Sequence, residues 1–460
     1  MLRIVLVILA CCQWTATAVG QDEKPKEAPK QLLGGSVDLN DPKYRDVTDA
    51  VALFQLKKGA EAIEKLRLAV KEHPELPPAE IMYAHLCFAS NLVENGYQML
   101  EAAAVRHEND PEAWIMLGDL AVRGQRFAEA DVLLQRGLLQ ANLLPDSDRK
   151  LRLRTNAMAG LTTVDEKRRL WDRAAGHLKQ LLNLQPENHN LMHRLAVTDF
   201  HRGRVQEALQ LLNEVQELDP KRVLPEVVLG LLYQQTGQSE EAEKMMLDAL
   251  KRAPDDVVTR LSVGEWALSR GRTALAEENA NFVMTRVPSS ERARIIKAGA
   301  FQFRGDYLKA ETLLKQILAD SPASFAASNE LACALLAQPA TTKHQRASQH
   351  ARVNVDRYQD LRTRLGREAA ATYAWSQHKL NNNPAAMNII RRVLSAGEIS
   401  PRAGYFSACI LRAGGEIEAA KTLMQKSLAS DASFPERKMA ERIHARTSKN
   451  SDSKKQPEEK

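Results

Sequence analysis

The chain has 460 residues and a formal net charge of +6, with 44% apolar and 27% charged residues. This balance is ordinary for a folded protein, and the charge is too mild to indicate a nucleic-acid-binding protein. Aromatic residues make up only 5% of the chain, which suits helices that pack closely through alanine, glycine and leucine.

The N-terminus has the pattern of an export signal. Arg3 is followed by an apolar run over 4–12 and by the small residues of 16–18. We therefore predict a signal peptide over 1–20 and an exported protein, periplasmic or extracellular. Two alternatives stay open. The residues before Cys11 loosely resemble a lipobox, which would leave that cysteine acylated, and the apolar run could remain as an uncleaved anchor.

The next part of the chain predicts a linker followed by irregular helix pairs. Residues 21–43 are rich in Pro, Lys, Glu and Gly, as flexible linkers are. Small residues such as Gly118 and Ala130 stand where paired helices would approach each other, and we place the turn of the first pair at Gly59. The predicted pairs cover about 44–74, 78–111, 111–142 and 148–186.

Residues 186–322 carry the strongest pattern in the sequence, a repeat with a period of 34 residues. Each unit predicts a first helix, a turn that contains a glycine, a second helix that begins near an alanine, and a proline that ends it. The repeating columns are Pro186, Pro220, Pro254, Pro288 and Pro322; Gly203, Gly237, Gly271 and Gly305; Ala174, Ala208, Ala242, Ala276 and Ala310; and Ala196, Gly230, Gly264, Ala298 and Ala332.

These residue types at this spacing resemble the tetratricopeptide repeat family. The resemblance covers about 44–430 and is most specific over 186–322. It implies an all-α fold, a right-handed α-α superhelix of about ten to eleven helix pairs with a concave inner groove. Because each unit buries its apolar face on its neighbours, we expect one elongated array instead of several globular domains.

The C-terminal part predicts less regular repeats and a cap. The ninth repeat has a lengthened turn at 338–345, and further pairs run from about 364 to 430. We predict a capping helix over 431–446 and a disordered tail over 447–460. We expect the cysteines that follow the signal to pack in first helices without forming a disulfide. They are Cys87, Cys333 and Cys409.

The sequence contains no signature of a catalytic or cofactor site. His189 and His193 are four residues apart, as two metal ligands on one helix face would be. Asn190, however, stands where a metalloprotease has its catalytic glutamate. We interpret the two histidines as part of an ordinary polar helix start, with a metal ligand as the alternative, and we predict a non-enzymatic protein with no cofactor and no metal.

The family resemblance implies that a partner binds in the groove, which alternate turns of the first helices line. The groove set is mostly apolar with glutamines at its edges and would suit an amphipathic helix or an apolar peptide; packing between helices is the other explanation. The Lys and Asn residues that clamp a terminal carboxylate in chaperone-binding members are not found at these positions. The predicted groove residues are Asn190, His193, Val197, Phe200, His201, Leu224, Val227, Leu231, Gln234, Gln235, Val258, Leu261, Glu265, Leu268, Arg292, Ile295, Gln302 and Phe303.

Two clusters of basic residues allow a second hypothesis. Solvated surfaces explain them, and docking of an anionic glycan, phospholipid headgroups or an acidic protein is the alternative. Nucleic acid is disfavoured because no aromatic residues are interleaved with the basic ones. The clusters are Arg149, Lys150, Arg152, Arg154, Lys167, Arg168, Arg169 and Arg173, and then Arg357, Arg362, Arg364 and Arg367.

The sequence therefore predicts a non-enzymatic scaffold for protein–protein interaction in the cell envelope, with a partner peptide or helix bound in the groove. The alternative is an accessory factor for polysaccharide or lipid export, or for envelope assembly, that uses the basic surface. No transmembrane segment is predicted in the mature chain.

Overall fold

The computed structural model describes residues 41–452, with side chains to residue 446. Over that range the secondary structure consists of 23 α-helices and a short 3-10 helix at Pro42–Tyr44, with no strand. The predicted all-α fold class is confirmed. The predicted signal peptide over 1–20 and almost all of the predicted linker lie outside the described residues.

The described helices form eleven consecutive pairs and one last helix, and they divide into two compact units at residue 222. We number the helices α1 to α23, so that odd numbers denote the first helix of a pair and even numbers the second. The N-terminal unit contains α1 (Arg45–Gln55), α2 (Gly59–Glu72), α3 (Ala79–Ala89), α4 (Val93–Arg106), α5 (Pro111–Arg123), α6 (Phe127–Leu143), α7 (Asp148–Arg168), α8 (Trp171–Leu184), α9 (His189–His201) and α10 (Val205–Leu218).

The C-terminal unit begins at residue 223 and continues the same alternation of first and second helices. It contains α11 (Pro225–Gln235), α12 (Ser239–Arg252), α13 (Val257–Ser269), α14 (Thr273–Arg286), α15 (Glu291–Arg304), α16 (Tyr307–Asp320), α17 (Phe325–Leu336), α18 (Thr341–Arg357), α19 (Arg364–Lys379), α20 (Asn383–Ala396), α21 (Pro401–Ala413), α22 (Ile417–Leu428) and α23 (Arg437–Asp452).

The small-residue columns of the sequence lie where helices touch. Ala242 and Ala276, which are members of one column, are fully buried near the starts of their second helices. A Cβ atom at Gly118 would lie 2.6 Å from Leu134 Cγ, so only glycine fits between α5 and α6. Larger residues would separate the paired helices and open cavities in the core.

The turn between paired helices explains the glycine column. In ten of the eleven described pairs, one turn residue has a positive φ, a conformation that glycine adopts without a steric penalty. Lys57, Asn91 and Gln125 occupy this position at the same 34-residue interval as the later glycines, so the structural period extends into the irregular N-terminal repeats. The turn residue of the first pair is therefore Lys57, whereas the prediction placed the turn at Gly59. Gly59 begins α2, where a Cβ would lie 2.4 Å from Tyr83 Oη.

Alanine substitutions at two exposed glycines should have opposite effects on stability. Gly237 has a φ of +79°, and no atom lies within 4 Å of the position that an added Cβ would take. Gly237→Ala should therefore lower the free energy of unfolding by about 1–2 kcal/mol through backbone strain alone. Gly176 lies inside α8 with equally open space, and Gly176→Ala should raise the free energy of unfolding by about 0.5–1 kcal/mol. Urea unfolding followed by circular dichroism measures both changes, and shifts of the same sign would contradict this explanation.

The C-terminal end differs from the predicted layout. The capping helix α23 begins at Arg437 instead of 431, because residues 430–436 form a non-helical segment. The helix continues to Asp452, so the first part of the predicted disordered tail is helical; no proline follows before Pro457 to stop it. Residues 453–460 lie outside the described part. None of the described helices is long and apolar enough to cross a bilayer.

Candidate functional site

The predicted groove residues of the N-terminal unit all lie on α9. Asn190 is exposed and accepts a hydrogen bond from Arg222 Nη2 at 2.7 Å. His193 and Val197 are partly buried, whereas Phe200 is buried and packs inside the unit. Burial and the charge of Arg222 lower the pKa of His193 to about 4, so its imidazole is neutral at pH 7. Asn190, His193 and Val197 therefore keep some exposure, whereas Phe200 is a core residue and not a groove residue as predicted.

His201, which follows these residues at the end of α9, stacks on Trp171 with 4.3 Å between the ring centroids. This contact joins α8 to α9, and its partner from α8 was not predicted. His189 and His193 belong to no group of three potential metal ligands among the described residues. The three described cysteines are buried and unbonded to one another.

In the C-terminal unit, three predicted groove residues are buried, and two of them belong to the apolar core. Val227 is fully buried, Leu261 is 7% exposed, and Gln302 is 1% exposed. Val227 and Leu261 belong to one apolar core with Trp266 and Ile296. They lie in the core because neighbouring first helices need apolar residues of this size between them.

Other predicted groove residues of this unit pair with a neighbouring first helix. Arg292 donates to both carboxylate oxygens of Glu265, at 2.8 and 2.9 Å, and Gln234 Oε1 accepts from Trp266 Nε1 at 3.2 Å. These contacts join α13 to α15 and α11 to α13. The remaining predicted residues are partly buried: Leu224, Leu231, Gln235, Val258, Leu268, Ile295 and Phe303.

The C-terminal unit holds a segment of its own chain against its first helices. We call residues 430–436 the C-terminal segment; it connects α22 to α23. The main-chain N–H of Ser433 donates to the carbonyl of Ser269 at 2.6 Å, at the end of α13. Arg270 Nη1 donates to the carbonyl of Asp431 at 2.7 Å, and Ser239 Oγ contacts the Asp431 carboxylate at 3.2 Å. The segment is thus bound through its backbone as well as its side chains.

Phe434 is the apolar anchor of the C-terminal segment. Its side chain is 3% exposed and lies in a cluster with Cys333 from α17 and with Tyr405 and Phe406 from α21. The ring centroids of Phe434 and Tyr405 are 5.9 Å apart. An aromatic side chain of this size contributes more binding energy than the polar contacts around it.

Arg402, in the first turn of α21, binds the acidic end of the segment. Its Nε and Nη2 donate to the two carboxylate oxygens of Glu436 at 2.9 and 2.7 Å. Nη1 donates to Glu330 Oε2 at 2.8 Å, and Nη2 also donates to Gln302 Oε1 at 2.9 Å. Burial opposes the charge of Arg402, but the carboxylates of Glu436 and Glu330 outweigh it and raise its pKa well above the usual range. The guanidinium therefore stays charged.

We call the residues that contact the segment, together with Gln302 and Glu330, which bind Arg402, the segment-binding surface. Gln302 is the one predicted groove residue in its polar network, while Phe303 lies beside Gly271, whose added Cβ would be 3.0 Å from Ser433 Oγ. The sequence placed Phe434 only within the predicted capping helix over 431–446 and did not indicate Arg402, Glu330 or Glu436 as site residues. The surface consists of Ser239, Ser269, Arg270, Gln302, Glu330, Cys333, Arg402, Tyr405 and Phe406.

Most members of the first basic cluster bind acidic residues of the N-terminal unit. Arg149 Nη2 contacts the carboxylates of Asp110 and Glu112 at 2.8 and 2.9 Å, and Arg152 contacts Glu112 at 3.3 Å. Glu112 is 1% exposed. Burial raises its pKa, but His85 and the charges of Arg152 and Arg149 outweigh this and lower the pKa to about 2. This network joins α3, α5 and α7.

The other basic residues are also largely occupied within the chain. Arg168 and Arg173 both bind Asp131. In the second cluster, Arg367 is 2% exposed and donates to the carbonyls of Leu361, Arg362 and Glu398. Arg362 pairs with Asp360. Carboxylates and carbonyls of the same chain therefore bind many of the arginines that suggested a surface for anionic partners.

Comparison with known proteins supports the family suggested by the repeat. Residues 169–227 and 227–256 match two family models described as tetratricopeptide repeat. This part of the chain therefore carries tetratricopeptide repeats, and the predicted helix-pair solenoid is confirmed. No curated protein matches the chain.

Some solved structures are similar to the chain at low sequence identity. Yeast Tom70 is 15% identical with a TM-score of 0.41, over 91% of this chain and 98% of that one. A tetratricopeptide repeat protein from Parabacteroides merdae is 16% identical with a TM-score of 0.34, over 64% and 98%. YrrB, described as a tetratricopeptide repeat protein with an unusual peptide-binding site, is 20% identical with a TM-score of 0.33, over 42% and 95%.

Proposed function

We propose that this chain is a non-enzymatic scaffold for protein–protein interaction in the cell envelope, and that it holds an extended segment or helix of a partner against the first helices of its repeats. Tetratricopeptide repeats generally bind protein or peptide partners. The envelope location rests on the export pattern over 1–20, namely Arg3, the apolar run and the small residues that follow.

One observation carries the proposal. First helices of the C-terminal unit already hold a non-helical segment, with a main-chain hydrogen bond from Ser433 to Ser269 and an apolar site for Phe434. The Arg270 side chain, just after α13, donates to the Asp431 carbonyl, and Arg402 makes a bidentate contact with Glu436. Main-chain contacts combined with one buried side chain are how peptide-binding surfaces achieve affinity and selectivity together. The surface thus has the chemistry that a peptide partner requires.

The alternative function, in polysaccharide or lipid export, relied on an exposed basic surface. The arginines that suggested it bind Asp110, Glu112 and Asp131 in the N-terminal unit. An anionic ligand would have to compete with these carboxylates. The available contacts therefore favour a protein or peptide partner.

Glutamate substitutions on first helices should weaken capture of a partner. Val197 on α9 and Val258 on α13 are partly buried members of the predicted groove. Introducing a charge there should reduce capture of envelope proteins by the purified chain at least about tenfold, because an apolar contact is replaced by a desolvated charge. Pull-down from an envelope extract, with identification by mass spectrometry and titration of the identified partner, measures this.

Matched controls lie on second helices. Val105 on α4 is 80% exposed and Val132 on α6 is 69% exposed, so Val105→Glu and Val132→Glu add the same charge without touching a first helix. They should bind as the unmodified chain does, and circular dichroism should show all four variants folded. Loss of binding in the controls, with binding retained in Val197→Glu and Val258→Glu, would contradict the proposal.

A further inference from the structure

The C-terminal segment is not needed to complete any helix pair. All eleven described pairs end with α22 at Leu428, and the segment follows them. Each pair buries its apolar face on its neighbours, so the segment can leave the surface without opening a pair. Its release would uncover the part of an apolar cluster that Phe434 covers, formed by Cys333, Tyr405 and Phe406 beside Ala440 of α23.

The polar contacts show what such an uncovered site would recognise. Without the segment, Arg402 keeps Glu330 on Nη1, while Nε and Nη2 lose both oxygens of Glu436. Two parallel N–H donors of one guanidinium match the two oxygens of a carboxylate, the group that they bind in the segment. In the segment, the carboxylate stands two residues after the aromatic ring of Phe434. The spacing of apolar site and arginine therefore selects an aromatic residue followed two positions later by an acidic one.

The segment is also restrained outside the binding surface. Arg437, the first residue of α23, donates to the carbonyls of Leu428, Ser430 and Ala432 at 2.6, 2.9 and 3.3 Å. These three bonds hold the chain as it leaves α22 and do not involve the first helices. The restraint from Arg437 and the anchors on the surface can therefore be weakened separately.

We propose that the C-terminal segment is a built-in competitor for the peptide site of the C-terminal unit, and that the partner of this site presents a peptide with an aromatic residue two positions before a carboxylate, held in a turn as in the segment. The inference rests on the proposed function and specifies its partner. A partner peptide displaces Phe434 and Glu436 and takes over Arg402. The apparent affinity of the partner peptide for the intact chain is its affinity for the open site multiplied by the fraction of molecules in which the segment has left.

A labelled peptide with the sequence of residues 429–438 tests this in trans against the full chain. Fluorescence anisotropy compares the unmodified chain with the double variant Phe434→Ala and Glu436→Gln, whose own segment has lost both anchors. We expect the double variant to bind the peptide at least about tenfold more tightly. A peptide carrying the same two substitutions should not bind, and adding Arg402→Met to the double variant should abolish binding.

Limited proteolysis within residues 429–436 shows whether the segment has been released in the variant. Equal peptide binding by the unmodified chain and a variant with a released segment would overturn the proposal, and so would a segment that stays protected after both anchors are removed. Dimers of the unmodified chain that exchange their segments, detected by light scattering, would also overturn it, because the occupant would then be a second copy.

If the double variant does not fold, Arg437→Ala replaces it. This variant releases the segment from its outer end and keeps the surface intact. It should bind the peptide more tightly than the unmodified chain does, and equal binding with a released segment would overturn the proposal. The probe is the chain's own sequence. The peptide can therefore show no displacement of the segment while the chain still captures an envelope partner, and the peptide can bind while no envelope partner is captured. The two proposals are therefore tested independently.

Discussion

Replacing Glu112 by alanine is expected to lower the free energy of unfolding by about 3–5 kcal/mol. The change leaves Arg149 and Arg152, which are mostly buried, without the carboxylate that they share. Urea unfolding followed by circular dichroism measures the loss. The matched control is Glu108→Ala, because Glu108 is exposed and its contact with Arg136 spans 3.7 Å; it should cost less than about 1 kcal/mol.

The pH dependence gives this prediction a second test. The pKa of Glu112 is lowered from 4.5 to about 2 in the folded chain. Its ionised form therefore contributes stability above the pKa of the unfolded state, and this contribution is lost as pH falls through the folded value. The difference in stability between the unmodified chain and Glu112→Gln should shrink between pH 4.5 and about 2. A difference that stays constant over this range would contradict the assigned network.

Replacing Arg402 by alanine should cost a similar amount, about 3–5 kcal/mol, and should loosen the C-terminal segment. The change leaves the carboxylates of Glu330 and Glu436 close together with no cation between them. Hydrogen exchange measured peptide by peptide should become faster over residues 430–436 and at the end of α13, where Ser433 N–H meets the Ser269 carbonyl.

The control for this substitution is Arg292→Ala in the same unit. Arg292 also contacts a carboxylate with two nitrogens, that of Glu265, but the pair is exposed, so its loss should cost less than about 1 kcal/mol. Unchanged exchange over residues 430–436 in Arg402→Ala would show that the arginine does not hold the segment.

The repeating fold could be predicted because its requirements are local. A left-handed turn at Gly237 and the tight packing at Ala242 each restrict one position to a small residue, and the restriction recurs in every unit of the regular block. The same turn at Lys57 and Gln125 was missed, since those residues tolerate a positive φ without showing it in the sequence.

The candidate site could be predicted only in part, because its decisive contacts are long-range. Periodicity indicated Gln302 as one position of α15, but Arg402 reaches Gln302 from 100 residues along the chain and Glu330 from 72. Nothing in the spacing of the repeats indicates that a chain end will return to these helices. Periodicity likewise could not separate Val227, which the core buries, from Val258, which keeps some exposure.

Photo-crosslinking from single positions tests most directly the claim that first helices bind the partner. A photoreactive phenylalanine analogue is placed at Val197 or Val258 on first helices, and at Val105 or Val132 on second helices, in cells that produce the full chain. We expect protein adducts from Val197 and Val258 and none from the other two positions. Adducts from Val105 and Val132 alone would contradict binding by the first helices.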